Sequence, residues 1–176
     1  DDRLVSYLPL SHVAAQTVDI VSSVTLGAAV YFADATALQG SLVETLKEVK
    51  PNIFLGVPRV YEKMEEKMKF FGSQGSALQT KISTWAKGIG SRATEALIKG
   101  EPMPYGFTLA NTIAFNRVKD ALGFSDAEGF LSGAAPLKRS TWEYFNSLHV
   151  PISNAYGMSE TAGAHILNIP FVPNRT

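Results

Sequence analysis

The stretch Pro151-Ile-Ser-Asn-Ala-Tyr-Gly-Met-Ser-Glu-Thr-Ala-Gly163 joins a short apolar run to a polar segment that contains glycine. Residues 151–155 predict a β-strand, and the residues that follow predict a tight turn. The turn offers an aromatic ring at Tyr156, a hydroxyl at Ser159 and a carboxylate at Glu160. These groups suit a nucleotide, because they supply a surface for the base, a hydrogen bond for phosphate and an oxygen ligand for Mg²⁺.

Gly157 adds to this interpretation, since a glycine lets the backbone approach a ligand closely or adopt a positive φ. An ordinary strand end is the alternative, with Ser159 or Thr161 capping the segment that follows. The residues of this stretch alone leave both interpretations open.

A second loop, Ser132-Gly-Ala-Ala-Pro136, also follows a predicted strand. Because ligands bind beyond the carboxyl ends of the strands in open α/β sheets, we expect both loops on one edge of the sheet. The small residues Gly133, Ala134 and Ala135 would let a flat base lie against the backbone. The alternative is a tight strand-to-helix turn that ends at Pro136.

Strand and helix patterns alternate along the chain. Strands are predicted over 4–8, 28–32, 52–56, 128–132 and 151–155, and the strand at 28–32 is expected to be buried. Helices are predicted over 13–26, 41–50, 58–69, 78–99, 107–122 and 138–148, with loops at 70–77 and 100–106. The alternation predicts an α/β fold of mainly parallel strands with flanking helices. We expect one domain over residues 1–176, with a helical middle at 58–122.

Two local patterns concern the start of one predicted helix and the stability of another. Ser41 and Glu44 fit a capping box, in which each side chain satisfies a free backbone N–H of the other residue. Gly88 and Gly90 would each weaken their helix by about 1 kcal/mol if they are exposed.

Composition excludes several classes of function. The chain has 176 residues, 16 basic and 16 acidic, so its net charge of zero favours neither a nucleic acid partner nor an anionic surface. It has no cysteine, which excludes disulfides, thiolate catalysis and zinc–sulfur sites. No apolar run approaches the roughly 20 residues that cross a bilayer. From the abrupt start at Asp1 and the end soon after Pro170, we expect a piece of a longer protein.

Three motifs carry a resemblance to a known family. Tyr156-Gly-Met-Ser-Glu-Thr161 resembles the Tyr-Gly-x-Ser/Thr-Glu motif of the adenylate-forming enzymes, which include the acyl-CoA synthetases. Ser132-Gly-Ala-Ala-Pro-Leu137 is similar to the adenine-side loop of that family, and Tyr7-Leu-Pro-Leu-Ser-His12 is similar to its upstream motif. Residues 4–47 and 56–64 look closest to the long-chain acyl-CoA synthetases of the bubblegum type, so the resemblance covers nearly the whole chain.

The resemblance implies roles for individual residues. Tyr156 would pack against adenine, Ser159 would contact the α-phosphate and Glu160 would help to hold Mg²⁺. His12 would lie near the acyl carboxylate, where an imidazole steadies negative charge during attack; a helix-start histidine facing water is the alternative. The implied catalytic residues are His12 and Glu160, and the implied nucleotide-binding residues are Gly133, Ala134, Ala135, Pro136, Asn154, Ala155, Tyr156, Gly157 and Ser159.

The reaction that the resemblance implies has two steps. A fatty acid carboxylate attacks the α-phosphate of ATP to give acyl-adenylate and pyrophosphate, and coenzyme A then displaces AMP. ATP, Mg²⁺, coenzyme A and a fatty acid are therefore the expected cofactor and substrates, with no obligate protein partner. The expected location is cytoplasmic or peripheral on the endoplasmic reticulum or another membrane. The neutral charge and the lack of a basic amphipathic helix give membrane contact through the helical middle little support.

Parts of the family pattern are absent from this sequence: the phosphate loop, the ribose-binding aspartate and the C-terminal lysine. We therefore expect the chain alone to be inactive. The alternative to a ligase is a non-catalytic nucleotide- or acyl-binding module, or an interaction module, with the same fold.

Other candidate residues have plainer interpretations. His149 is expected to be structural, Arg59 to be solvated or in a structural ion pair, and His165 could line a pocket. The apolar stripes around Met64, Met68, Trp85 and Phe107 could border an acyl tunnel, but core packing is the preferred interpretation.

Overall fold

The computed structural model describes residues 2–168 and has the predicted α/β architecture. Strands β1 (Arg3–Ser6) and β2 (Ala29–Phe32) form a parallel pair. A second sheet has the order β3 (Ile53–Gly56), β4 (Gly129–Ser132), β5 (Ile152–Met158) and β6 (Gly163–Leu167). Its first three strands are parallel, and β6 runs antiparallel to β5.

The helices alternate with these strands. Helix α1 spans 13–26, α2 Leu42–Val49, α3 Pro58–Ser73, α4 Ala77–Lys99, α5 107–122 and α6 Arg139–Ser147. Pro58 begins α3, as predicted, because its missing N–H needs no partner in a first turn. Helix α3 continues to Ser73, so residues 70–73, which we predicted to be loop, are helical. Among the described residues, no helix is both long and apolar enough to cross a membrane.

The two sheets meet where β1 lies beside β3. The Asn52 N–H donates to the Arg3 carbonyl at 3.0 Å, and the Arg3 N–H donates to Asn52 Oδ1 at the same distance. The Tyr7 hydroxyl donates to the Leu55 carbonyl at 3.0 Å and accepts from the Val57 N–H at 3.1 Å. Burial raises the pKa of Tyr7 to about 12, because the phenolate would be poorly solvated. Tyr7 therefore joins the motif at residues 7–12 to the end of β3.

Aromatic packing dominates the core over β3 and β4. Phe54 on β3 lies opposite Phe130 on β4, and both side chains are buried. The ring of Phe54 is 5.9 Å from the ring of Tyr61 and 5.1 Å from that of Phe124. These contacts fix α3 and the end of α5 against one face of the sheet.

Strand β2 lies where we predicted, but the expectation that it is buried is wrong. Tyr31 is 45% exposed and Phe32 69% exposed. Within residues 2–168, β2 pairs only with β1, so its outer edge has no strand partner there.

The predicted helix over 13–26 is confirmed as α1, but the centre of α1, Gln16–Ser22, is π-helical. The apolar side chains of Ile20, Val21 and Val24 are exposed rather than packed on the core. Asp19 instead faces β1, where the Ser6 hydroxyl donates to its carboxylate at 2.6 Å. Burial raises the pKa of Asp19.

The predicted capping box at the start of α2 is also wrong. The Ser41 hydroxyl lies 2.9 Å from both carboxylate oxygens of Asp34 and makes no hydrogen bond to the helix end. The Thr36 hydroxyl donates to the same carboxylate at 2.5 Å. Ser41 bonds to the Asp34 carboxylate rather than to the helix end, because hydrogen bonds to an ionised group are stronger than those to a neutral one.

Candidate nucleotide site

The register of β4 and β5 places the two predicted loops side by side. Ser132 at the end of β4 is the partner of Asn154 on β5, so the segments that follow them leave the sheet together. They enclose a cleft of about 400 Å³, a volume typical of small-ligand sites. Seven of the nine predicted nucleotide-binding residues line it, together with Ser132 and Leu137: Ala134, Ala135, Pro136, Asn154, Ala155, Tyr156 and Gly157.

Gly133 does not line the cleft and is buried instead. A Cβ at this position would be 3.3 Å from the Ala155 carbonyl and 3.5 Å from the Ala155 side chain. The glycine therefore keeps the two loops in close contact rather than presenting a surface to a ligand.

Ala134 adopts a left-handed backbone conformation, with φ of +69°. This region is unfavourable for a residue with a Cβ, and such strain persists where the surrounding structure holds the backbone in place. The strained residue lies on the surface of the cleft, which is where strained backbone is often found in functional sites.

Ser132 contributes a polar group that the sequence did not single out. The residue is 1% exposed, and its hydroxyl has no hydrogen-bond partner within the described part of the chain. Leaving a buried hydroxyl unpaired costs about 1–3 kcal/mol. Because Ser132 lines the cleft, a ligand or water in the cleft is the natural partner for this group.

The end of β5 differs from the sequence prediction. We predicted that the strand ends at residue 155 and that Tyr156–Met158 belong to a turn; instead these residues continue β5 and pair with β6. A Cβ at Gly157 would come within 2.1 Å of the Gly163 carbonyl oxygen. Gly157 is thus required by strand pairing, and its φ is not positive.

Tyr156 keeps an accessible ring, 59% exposed at the surface of the cleft. The ring of His165 on β6 packs edge-on against it, with centroids 5.1 Å apart. Sequence reasoning missed this contact because it did not predict β6. A strand assignment for the apolar run at 163–167 would have found it.

The turn after β5 is Ser159–Thr161, and Thr161 holds it together. Thr161 Oγ1 lies 3.0 Å from the Met158 carbonyl, 2.9 Å from the Gly163 carbonyl and 3.2 Å from His165 Nδ1. Ser159 and Glu160 are exposed, and their side chains form no hydrogen bond or ion pair within residues 2–168. The turn therefore presents a free hydroxyl and a free carboxylate, but neither Ser159 nor Glu160 lines the cleft itself.

His12 lies at the start of α1 and has a capping role. Its Nδ1 accepts the Ala14 N–H at 3.1 Å, which leaves the proton on Nε2 of the neutral ring. Helix α1 also reaches the turn after β5, because Thr17 Oγ1 is 3.5 Å from the Ala162 carbonyl. The helix that His12 begins therefore contacts the end of the turn that follows β5, and His12 keeps an Nε2–H donor.

His149 and Arg59 have structural surroundings. The ring of His149 packs against Phe107 at 4.8 Å, and burial, followed by the charge of Lys119, lowers its pKa to about 4. Arg59 forms an ion pair with Glu62 at 3.1 Å.

The residues considered for an acyl tunnel do not share one cavity. Met64 lines a cleft of about 530 Å³ between α3 and residues 37–43. Trp85 and Phe107 line a different cleft of about 710 Å³.

The family model for AMP-binding enzymes matches residues 1–176. The chain belongs to the AMP-binding enzyme family. The long-chain-fatty-acid–CoA ligase ACSBG2 of Gallus gallus is 48% identical over 170 residues, which cover 96% of this chain and 22% of the relative. ACSBG2 of Homo sapiens is 44% identical over 168 residues, covering 95% of this chain and 25% of the relative. This AMP-binding chain therefore spans about a quarter of the length of these curated relatives.

Solved structures show the same fold at lower identity. The adenylation domain of a carboxylate reductase from Mycobacterium chelonae matches with a TM-score of 0.56 and 21% identity, over 93% of this chain and 21% of that one. The corresponding domain from Segniliparus rugosus, solved with AMP and a co-purified carboxylic acid, has a TM-score of 0.52 and 21% identity, over 89% of this chain and 20% of that one. The AMP-binding family member described here thus has the fold of adenylation domains.

Proposed function

We propose that this chain forms the adenine side of the ATP site, and part of the acyl site, of a long-chain fatty acid–CoA ligase. The cleft between the ends of β4 and β5 carries the proposal, because it unites two family motifs that are about 20 residues apart in sequence. The names of the relatives support a long-chain fatty acid as the carboxylate substrate and coenzyme A as the acyl acceptor.

Each candidate residue has a defined part in this proposal. The ring of Tyr156 and the small loop residues Ala134 and Ala135 hold the adenine, and the Ser132 hydroxyl supplies a hydrogen bond within the pocket. Asn154 contacts the edge of the base. The Ser159 hydroxyl binds the α-phosphate. His12 donates its Nε2–H toward the negative oxygen that develops when the carboxylate attacks.

Glu160 is the proposed Mg²⁺ ligand. No group of three or more His, Cys, Asp or Glu side chains that could hold a metal occurs among residues 2–168. A single free carboxylate still fits, since Mg²⁺ is often held by one or two carboxylates together with substrate phosphates. When bound, the ion would neutralise phosphate charge.

The test is ATP–pyrophosphate exchange by the full-length protein with a long-chain fatty acid. We expect exchange by the wild type and a loss of at least about tenfold in Glu160→Ala, since one lost transition-state contact to a charge is worth several kcal/mol. Glu95→Ala, which removes an exposed carboxylate on α4, is the matched control and should be unchanged. An unimpaired Glu160→Ala would disprove the metal role. Absence of exchange with every carboxylic acid tried would favour a non-catalytic binding module.

A further inference from the structure

Helix α1 packs on β1 with a carboxylate facing the strand and its largest apolar side chains exposed. Asp19 is 9% exposed, whereas Ile20, Val21 and Val24 are 47%, 58% and 81% exposed. Burial of apolar surface would favour the opposite rotation of the helix, which would cover the aliphatic side chains and return the carboxylate to water. Within residues 2–168, the rotation of α1 therefore has another cause than burial of these side chains.

One hydrogen bond accounts for the orientation of α1. The Ser6 hydroxyl at the end of β1 is 3% exposed and donates to Asp19 Oδ2 at 2.6 Å, a length typical of a hydroxyl bonded to a carboxylate. Among residues 2–168 this hydroxyl is the only hydrogen-bond partner of the Asp19 carboxylate, and no cation pairs with it. Because a buried carboxylate without its partner is costly, the bond fixes α1 relative to β1.

The backbone around Asp19 is irregular as well. Asp19 lies at the centre of the π-helical segment Gln16–Ser22. Its carbonyl accepts the Ser23 hydroxyl at 2.8 Å, and the Thr17 carbonyl accepts the Ser22 hydroxyl at 2.9 Å. Segments of π-helix are rare and occur frequently at functional sites. The buried carboxylate and the wider helical turn therefore form one unit.

The anchored helix carries two groups that matter for the candidate site. His12 begins α1 and is fixed to it, because its Nδ1 accepts the Ala14 N–H at 3.1 Å. Thr17 contacts the end of the turn that follows β5, where a Cβ on Gly163 would lie 2.5 Å from Thr17 Oγ1. Both groups move with α1, so the anchoring bond determines where His12 lies relative to that turn.

We propose that Asp19 is a positioning residue for the adenylation step, because it fixes α1 through Ser6 and thereby places the Nε2–H of His12. The inference rests on the role proposed above for His12. Asp19 itself touches no reacting group. Without the bond, α1 is free to rotate toward burial of Ile20 and Val21, which displaces His12. A displacement of about 1 Å can cost on the order of a hundredfold in rate.

ATP–pyrophosphate exchange by the full-length protein with a long-chain fatty acid is the test. Asp19→Ala and Ser6→Ala should each lower kcat by about tenfold or more. The KM for ATP should change less, since neither residue lines the cleft between β4 and β5. Asp19→Asn keeps an acceptor for the Ser6 hydroxyl and should recover most of the lost kcat.

A double-mutant cycle with His12→Ala separates positioning from a general loss of stability. If Asp19 acts through His12, Asp19→Ala should lower kcat little further in the His12→Ala background. Thr94→Val is the matched control, because the Thr94 hydroxyl is also buried and donates to the Asn146 carbonyl between α4 and α6 at 2.9 Å. This variant should lower thermal stability and leave kcat unchanged.

The outcomes distinguish this inference from the proposed function. Wild-type kcat in both Asp19→Ala and Ser6→Ala, or losses that multiply with that of His12→Ala, overturns the inference and leaves the proposed function in place. An unimpaired His12→Ala would instead remove His12 from the proposed function, and the inference with it. Ser6→Ala changes the volume of the site least and carries the same prediction, so the cycle can be completed even if Asp19→Ala does not fold.

Discussion

Tyr156 presents an exposed ring to the cleft while its edge contacts His165. If the ring packs on adenine, Tyr156→Ala should raise the KM for ATP by roughly tenfold, since stacking of a base on an aromatic side chain is worth about 1–3 kcal/mol. Tyr156→Phe keeps the ring and should stay close to the wild type. Steady-state kinetics of the full-length protein against ATP would measure both. Equal KM values for the Ala variant and the wild type would remove Tyr156 from the adenine site.

His149 makes the local stability of the protein depend on pH. Burial, with the charge of Lys119 as the second cause, lowers its pKa from 6.5 to about 4. The unfolded state therefore takes up the proton first as the pH falls. The free energy of unfolding should be independent of this group above about pH 6.5 and should fall between about pH 6.5 and 4, by up to about 3 kcal/mol.

His149→Asn is the variant that tests this dependence. Asparagine tolerates the φ of +56° at this position and does not titrate, so the fall in stability below about pH 6.5 should become shallower. Hydrogen exchange of α5 peptides in the full-length protein, compared at about pH 7 and pH 5 after correction for intrinsic rates, would measure it. An unchanged pH dependence would assign the effect to another group.

Individual residues differ in how far the sequence predicts them. The motif residues around Tyr156 could be placed in one cleft because both loops follow strands. The orphan hydroxyl of Ser132 and the left-handed φ of Ala134 could not be foreseen, since both depend on the packing and register of β4 and β5. His12 has a helix-capping role that is compatible with its predicted place near the acyl carboxylate, and its catalytic part stays a prediction.

Helix α4 contains two glycines for which the sequence predicts the same effect on the helix but which have different surroundings in the structure. Gly88 has open space around it, whereas a Cβ on Gly90 would come within 2.1 Å of the Ser147 carbonyl oxygen on α6. We expect Gly88→Ala to stabilise the helix by up to about 1 kcal/mol through helix propensity. Gly90→Ala should destabilise the protein by about 1–3 kcal/mol, because α4 and α6 must move apart.

Urea unfolding of the two glycine variants, followed by circular dichroism of the full-length protein, would compare them directly. The two substitutions should change the free energy of unfolding in opposite directions, although helix propensity favours alanine at both positions. A Gly90→Ala variant as stable as Gly88→Ala would show that the α4–α6 contact is looser than described.

Strand ends were the least predictable elements. Strand β5 runs three residues past its predicted end because β6 returns beside it, and that pairing is not visible in the apolar run 151–155 itself. Helix ends were predicted well where proline or glycine sets them, as at Pro58 and Gly100. The capping box at Ser41 failed because Asp34, seven residues earlier, competes for its hydroxyl.

The distribution of apolar surface bears on how residues 1–176 would behave when expressed alone. Val24 is 81% exposed and Phe32 69% exposed, and the outer edge of β2 has no strand partner among residues 2–168. We expect this chain in isolation to self-associate with increasing concentration and to show no pyrophosphate exchange. Light scattering over a concentration series would measure the association.

Matched variants test which surface drives self-association. Val24→Lys/Phe32→Lys should lower the apparent mass, whereas Ile98→Lys, on an exposed part of α4, should leave it unchanged. A chain that stays monomeric at high concentration would contradict the expectation.

The α/β class and the mainly parallel strands were predictable because the apolar periodicity changes between strand and helix along the chain. The burial of β2 was not predictable. An apolar strand pattern shows only that a strand is suited to a core, and among residues 2–168 no further strand covers β2.

The π-helical centre of α1 affects how this chain should be aligned with others. A π segment places one more residue in a turn than an α-helix does, so residues after Gln16–Ser22 are out of phase with a regular helix. A relative whose helix is wholly α-helical would need a one-residue gap within this segment. Without the gap, each later position of the helix would be compared with a neighbour about 100° around the axis. Substitution patterns for Ser23–Leu26 would then describe the wrong face of the helix.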